Sequence, residues 1–161
     1  MRRALLLIVL ALLPVACSSA PAGPQGPPQV TFTADGQSAS ARPTQYCNVE
    51  FSDCRNDAEA PVSLRVPAGV PVQVSVPKEV SSTPWLIVFT TVANDGTRTD
   101  GRTPLFTPAA PTDTYELTLP QPTDRLLTAQ VQQLGAPPQA NADSGGIDFP
   151  ARATWVLTTT L

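Results

Sequence analysis

Three cysteines are the residues of this chain whose types and spacing favour chemistry. Cys17 directly follows an apolar run, and Cys47 and Cys54 are separated by six residues. Cysteine is the most reactive common side chain, and its neighbourhood decides which reaction it undergoes. A thiol behind a secretory-type run is suited to acylation, and a close pair of thiols is suited to a disulfide. The spacing therefore favours covalent processing of the chain.

Residues 1–16 have the order of a secretory signal, and their last residue is small. Arg2 and Arg3 supply the positive charge, an uncharged apolar run covers residues 4–13, and Ala16 stands directly before Cys17. As a helix this run would rise about 15 Å, half of a hydrocarbon core of about 30 Å, so it is too short to span a bilayer. The segment resembles a bacterial lipoprotein signal. We therefore predict a signal peptide at 1–16 and lipidation of Cys17 as the new N-terminus.

One position departs from that pattern and leaves a second interpretation open. Pro14 lies three residues before Cys17, where leucine is usual, and Leu13 is one residue further back. The alternative is an ordinary signal peptide cleaved after residues 18–20, although Pro21 is poorly placed after such a cut. On the first interpretation, residues 17–28 are the lipidated cysteine and a tether rich in proline and glycine. Residues 29–161 then form a single domain.

The pair Cys47 and Cys54 is predicted to form a disulfide, because secreted proteins meet an oxidising environment. Their spacing differs from the C-x-x-C of thiol oxidoreductases, and no further soft ligand accompanies them for zinc. Closing so short a loop is worth roughly 2–3 kcal/mol. The expected role of the pair is structural.

Few residues are suited to catalysis. The chain has no histidine, so the commonest general base and metal ligand is missing. Lys78 is the single lysine and could form a dyad with a nearby serine, although no S-x-x-K motif is present. The candidate serines are Ser75, Ser81 and Ser82. A lysine beside a glutamate in a turn is more simply a solvated side chain, so we expect no enzyme and no cofactor.

An acidic cluster surrounds the two close cysteines. It consists of Glu50, Asp53, Asp57 and Glu59. Two of these carboxylates could act in glycoside hydrolysis, and three could bind calcium, but no EF-hand spacing is present. The cluster is more simply an acidic surface patch, and we predict no metal site.

The charge balance excludes some partners. The chain has 10 basic and 13 acidic residues, and removal of Arg2 and Arg3 with the signal would make the mature protein more acidic. An acidic, lysine-poor surface argues against nucleic acid. It also argues against electrostatic adhesion to anionic lipid, so membrane contact must come from acyl chains.

Alternation of apolar and polar residues, together with the continuous apolar run at 85–88 and the β-forming residues at 153–160, predicts an all-β domain. The predicted strands cover residues 30–33, 62–66, 70–76, 85–92, 115–119, 127–131 and 153–160. Asn94, Asp95 and Gly96 predict a hairpin after the fourth of them. About seven to nine short antiparallel strands favour an immunoglobulin-like β-sandwich. Trp85 is expected between the sheets, and burial is the favoured state of Trp155. A polar loop at 143–149 carries Ile147 and Phe149 and could take part in recognition.

Several segments together resemble an uncharacterised actinobacterial lipoprotein family, of the mycobacterial and corynebacterial type, with a domain of unknown function. They are the lipoprotein-like start, Y-C-N-V-x-F-x-D-C, P-V-Q-V-S-V-P, S-T-P-W-L-I-V-F and A-R-A-T-W-V-L. The resemblance implies an extracytoplasmic location and one domain. It implies no activity, and it assigns structural roles only to Cys17, Cys47 and Cys54.

The expected function is that of a lipid-anchored binding or accessory module on the outer face of the cell membrane. Its partner would be an envelope protein, lipid or glycan. One alternative is a carrier that holds an apolar ligand between the sheets, and a weaker one is a hydrolase that uses Lys78 or the acidic cluster.

Overall fold

The computed structural model describes residues 26–135, 139–140 and 147–160. In this part of the chain strands dominate, and one short helix joins two of them. In chain order the elements are β1 (Val30–Ala34), β2 (Gln37–Ala41), β3 (Gln45–Cys47), β4 (Cys54–Asn56), β5 (Val62–Arg65), β6 (Val72–Ser75), α1 (Lys78–Ser81), β7 (Trp85–Val92), β8 (Arg98–Arg102), β9 (Thr114–Leu117), β10 (Arg125–Leu134), β11 (Gln139–Ala140), β12 (Ile147–Asp148) and β13 (Ala151–Thr160).

Two sheets form the sandwich. The four-stranded sheet has the order β2-β1-β6-β9. The seven-stranded sheet has the order β4-β3-β13-β10-β7-β8, with β5 beside β13, and β11 and β12 form a separate small hairpin. The predicted all-β sandwich is therefore confirmed.

The strand pairing matches the arrangement of an immunoglobulin-like domain. In that fold strands B and E share one sheet, and strands C, F and G share the other. Here β6 pairs with β9 in one sheet, and β7, β10 and β13 lie side by side in the other. The hairpin of β3 and β4 and the strand β2 are additions at the edges.

The structure differs from the sequence prediction in two details. Strand β5 pairs with β13 in parallel, with Val62 opposite Leu157, where an antiparallel partner was expected. A parallel pair requires a long connection, and the chain between β5 and β13 supplies it, since it contains β7, β8 and β10 of the same sheet and β6 and β9 of the other. The described residues also contain short strands that the alternation did not predict, namely β2, β3, β4, β8, β11 and β12.

The core lies between the two sheets and is built from the inward residues of the alternating strands. Trp85, Trp155, Phe32 and Ile87 are fully buried, and the cluster joins both sheets. The Trp85 ring lies 4.4 Å from that of Phe106 between ring centroids. Burial of both tryptophans is confirmed.

One tight approach between loops requires glycine. Gly69 has φ +73°, and a β-carbon there would overlap the carbonyl oxygen of Pro122. Gly36 has the same φ, but a β-carbon there would meet no atom within 4 Å. A comparison of substitutions at these two glycines therefore distinguishes the cost of backbone strain from the cost of steric overlap.

We expect the substitution G69A to destabilise the domain by about 2–4 kcal/mol, because left-handed strain of about 1–2 kcal/mol adds to an overlap with rigid backbone. The control G36A should cost only about 1–2 kcal/mol, the strain alone. Urea unfolding of both variants measures the difference. Equal losses would show that the Pro122 loop moves aside freely.

Candidate functional site

The described chain enters the sandwich at one end, which we call the tether end. Strand β1 begins there, β6 ends there, α1 crosses it, and β7 begins beside it. The same end holds the end of β10 and the start of β13, since Leu134 pairs with Ala151. The Trp155 indole Nε1 donates a hydrogen bond of 2.9 Å to the carbonyl oxygen of Pro28. This bond fixes the entering segment against the core.

An open groove lies at the tether end, with a volume of about 660 Å³. We call it the tether-end groove. Its wall includes the entering segment, the strand β4 and parts of the chain before and after β3. The lining residues are Gly26, Pro27, Pro28, Arg42, Pro43, Tyr46, Asn48, Asp53, Arg55, Asn56, Asp57 and Glu79. A groove of this size can hold a small molecule or a short segment of another chain.

The disulfide between Cys47 and Cys54, which the sequence predicts, lies beside this groove, since the neighbouring residues Asn48 and Asp53 line it. The two cysteines are directly opposite each other on β3 and β4, and their Cα atoms are 4.0 Å apart. Within the enclosed loop, the Asn48 Oδ1 accepts hydrogen bonds from the backbone N–H groups of Ser52 and Asp53, at 2.9 and 3.2 Å. The loop is therefore held both covalently and by its own side chain.

Phe51 anchors the same loop to the seven-stranded sheet. It adopts a positive φ of 57°, which is unusual for a bulky residue. A β-carbon at Gly135 would lie 2.7 Å from its ring, so the ring packs directly on the Gly135 backbone. The Gly135 N–H in turn donates to the carbonyl oxygen of Pro150, at 3.2 Å. The disulfide loop thus packs against the ends of β10 and β13.

Tyr46 connects the groove to the helix α1. Its hydroxyl donates to the Glu79 Oε1 at 2.8 Å, and the Arg152 guanidinium lies 5.7 Å from the centre of its ring. Burial raises the pKa of the Tyr46 phenol, and the hydrogen bond to Glu79 and the charge of that carboxylate raise this pKa further, whereas Arg152 lowers it. The phenol is therefore kept as a neutral hydrogen-bond donor.

The predicted acidic cluster is divided in the structure. Asp53 and Asp57 line the groove, and Asp57 pairs with Arg42 at 3.0 Å. Glu50 and Glu59 are exposed and are not part of the groove wall. Within the described ranges, no three side chains of the types that bind metals lie close enough together to hold an ion. The groove thus presents mixed charge.

The residues considered for a serine–lysine dyad lie on or next to α1. Lys78 is exposed at the start of this helix, and the Ser81 hydroxyl is mostly buried and faces the Lys78 carbonyl oxygen at 3.4 Å. The Ser82 hydroxyl donates to the Glu79 carbonyl oxygen at 3.3 Å. Ser75 ends β6 on the preceding strand. Two of these hydroxyls are thus engaged with the helix backbone.

Gln133 is a structural residue that the sequence analysis missed. It is fully buried, and its Nε2 donates to the Glu79 carbonyl oxygen at 3.1 Å and to the Thr83 Oγ1 at 2.9 Å. Its Oε1 accepts from the Arg152 Nη2 at 3.2 Å. Gln133 therefore positions both groups that flank Tyr46. Its alternation along β10 is that of a core residue, which was the available signal.

A second cavity, of about 570 Å³, lies on the seven-stranded sheet over β8, β7 and β10. One pair of its polar side chains is bonded, since the Thr90 hydroxyl donates to the Asp100 Oδ1 at 2.7 Å. Arg102 lies 5.4 Å from the centre of the Phe149 ring. This surface is shallow, and part of its polar and charged lining is already engaged within the protein.

Several predictions fall on residues that the structure does not describe. The signal at 1–16, Cys17, most of the tether and residues 143–146 of the predicted loop lie outside the described residues. Of that loop, Ile147 and Asp148 form β12, and Phe149 contacts Arg102. No helix in the described part of the chain is long and apolar enough to cross a membrane.

These features define a β-sandwich domain of the immunoglobulin-like class, with a groove beside a disulfide at the end where the chain enters. The chain belongs to the family of proteins of unknown function DUF2771, whose model matches residues 23–160. No curated protein and no solved structure matches it.

Proposed function

We propose that this protein is a lipoprotein of the outer face of the cell membrane, anchored through acylated Cys17. It acts as a non-enzymatic binding or accessory module for a molecule of the cell envelope. The observation that carries the proposal is the place of the tether-end groove, which is lined in part by the segment that leads back to Cys17. An acyl anchor would hold the groove near the membrane surface.

The contents of the groove favour recognition over catalysis. Its charged side chains are paired or exposed, as with Arg42 and Asp57 and with the hydrogen bond from Tyr46 to Glu79. Nucleophilic catalysis needs a group activated by a neighbouring base, and the neighbours of Ser81 and Ser82 are backbone carbonyl oxygens. A hydrolase is therefore the weaker proposal.

The alternative carrier function has less support. It requires a cavity between the sheets, whereas the inward residues Phe32, Ile87 and Val131 pack in one continuous buried cluster. The two cavities described above both open at the surface. A ligand held by this protein would therefore bind outside the core.

Photo-crosslinking in living cells tests the binding function. A crosslinking amino acid at Asn56, an exposed residue of the groove wall, should give a discrete adduct with an envelope component. The matched control is Ser38, which is exposed on β2 in the other sheet. Equal adducts from both positions, or none from Asn56, would contradict a binding role for the groove.

A further inference from the structure

The exposed large apolar side chains of the described residues share one end of the molecule. Three large apolar side chains are exposed there: Val49 at 65%, Ile147 at 64% and Leu105 at 42%. Single exposed apolar residues are ordinary on protein surfaces, so their number carries no meaning. Their common location is informative, because it places all three on one surface. This location follows from the strand pairing.

Each of the three belongs to a connection at the tether end. Val49 is in the disulfide loop, which packs on Gly135 at the end of β10. Leu105 precedes Phe106, which bridges to Trp85 at the start of β7. Ile147 is in β12, in the connection that leaves β10 and returns to β13 beside the same loop.

The opposite end of the sandwich is different. Its described connections are the turn at Asp35 and Gly36, the loop around Gly69, the hairpin turn at 94–96 and the loop at 120–124. None of these connections carries a large apolar side chain that is exposed. The apolar surface is thus asymmetric along the long axis of the sheets.

The chain outside the structure also leaves from the tether end, at Gly26. Cys17 is nine residues before Gly26, and that length of chain reaches at most about 30 Å. If Cys17 is acylated, as proposed above, this limit keeps the tether end close to the bilayer. A docking contact held by a tether needs little affinity, because the tether sets a high effective concentration.

From this arrangement we infer that the tether end docks on the lipid bilayer, with Val49, Ile147 and Leu105 inserted at the level of the headgroups. The contact is apolar in character. The same end carries both signs of charge, including Arg42, Asp57 and Glu79, so anionic lipid gives little added attraction. The domain then stands on the membrane with its polar turns pointing away, and the tether-end groove opens beside the lipid surface.

Depth-dependent quenching of tryptophan fluorescence tests this docking. The full protein is purified from membranes, reconstituted into phosphatidylcholine vesicles, and isolated by flotation. The probes are V49W and I147W, and the matched control is N94W in the hairpin turn at the opposite end. The native Trp85 and Trp155 are both fully buried, so they contribute a constant background.

Vesicles with brominated acyl chains should quench V49W and I147W by roughly half, since interfacial side chains lie about 5–10 Å deep, and should leave N94W unchanged. Vesicle-bound protein with equal quenching at all three positions would overturn the docking but not the anchor. Absence of quenching, with V49W emission that shifts with protein concentration, would assign the apolar end to a second copy of the chain. Protein that does not float with the vesicles would overturn the anchor and the docking together.

Discussion

The substitution C17A should release this protein from the membrane. An acylated N-terminal cysteine carries the two or more acyl chains that stable anchoring requires, whereas residues 4–13 are too short to span the bilayer. Loss of the acyl chains should lower the membrane-bound fraction by about 100-fold or more after a high-salt wash. Cell fractionation followed by immunoblotting measures this change.

The matched control for that experiment is S19A, which alters a nearby residue and leaves Cys17 in place. This variant should remain in the membrane pellet and be solubilised by detergent. If C17A stays in the pellet to the same extent as S19A, the protein is attached by something other than acyl chains on Cys17. In that case the tether-end docking would also lose its basis.

The substitution Q133L, beside the groove, should have a large effect on stability. The leucine fills the volume but leaves the Glu79 carbonyl oxygen without the Gln133 donor and Arg152 without its acceptor. The loss of the three Gln133 hydrogen bonds, after which the Glu79 carbonyl oxygen keeps only the bond from the Ser82 hydroxyl, should cost about 2–4 kcal/mol in the free energy of unfolding. That is a large share of the stability of an ordinary domain, about 5–15 kcal/mol.

The control is Q132L, at the next position on β10, whose side chain points to the opposite face and is partly exposed. It should change the free energy of unfolding by less than about 0.5 kcal/mol. Urea unfolding of the oxidised protein compares the two variants. Equal effects would mean that the bonds of Gln133 to α1 and Arg152 contribute little to holding the groove wall.

The strands richest in apolar and β-forming residues were predictable from the sequence. The run from Trp85 to Val92 and the run from Ala151 to Thr160 are rich in branched and aromatic residues, which favour the pleated, half-buried surface of a sheet. The disulfide was predictable from spacing and from the expected compartment. Both predictions rest on local features.

Other strands could not be predicted in the same way, because their partners define them. Strand β2 consists of small and polar residues, and its strand form comes from pairing with β1 across the turn at Asp35 and Gly36. Both turn residues have positive φ, so the Asp-Gly pair was a hairpin signal that the alternation alone did not use. Strand β8 likewise carries almost no apolar residue and depends on β7.

The groove depends still more on the tertiary fold. Tyr46 and Glu79 are 33 residues apart, and the Gln133 that positions Glu79 is 54 residues further along the chain. Nothing in the local sequence around any of these residues indicates the others. Their contact follows from the topology, which places β3, α1 and the end of β10 at one end of the sandwich.

Mass spectrometry of the mature N-terminal peptide tests the central proposal most directly. The protein is extracted from membranes with detergent and digested, and its N-terminal peptide is sequenced by fragmentation. We predict a peptide that begins at Cys17 and carries acyl chains on that residue. An unmodified peptide that begins after residues 18–20, as an ordinary secretory signal would give, would contradict the lipid anchor and the functional account built on it.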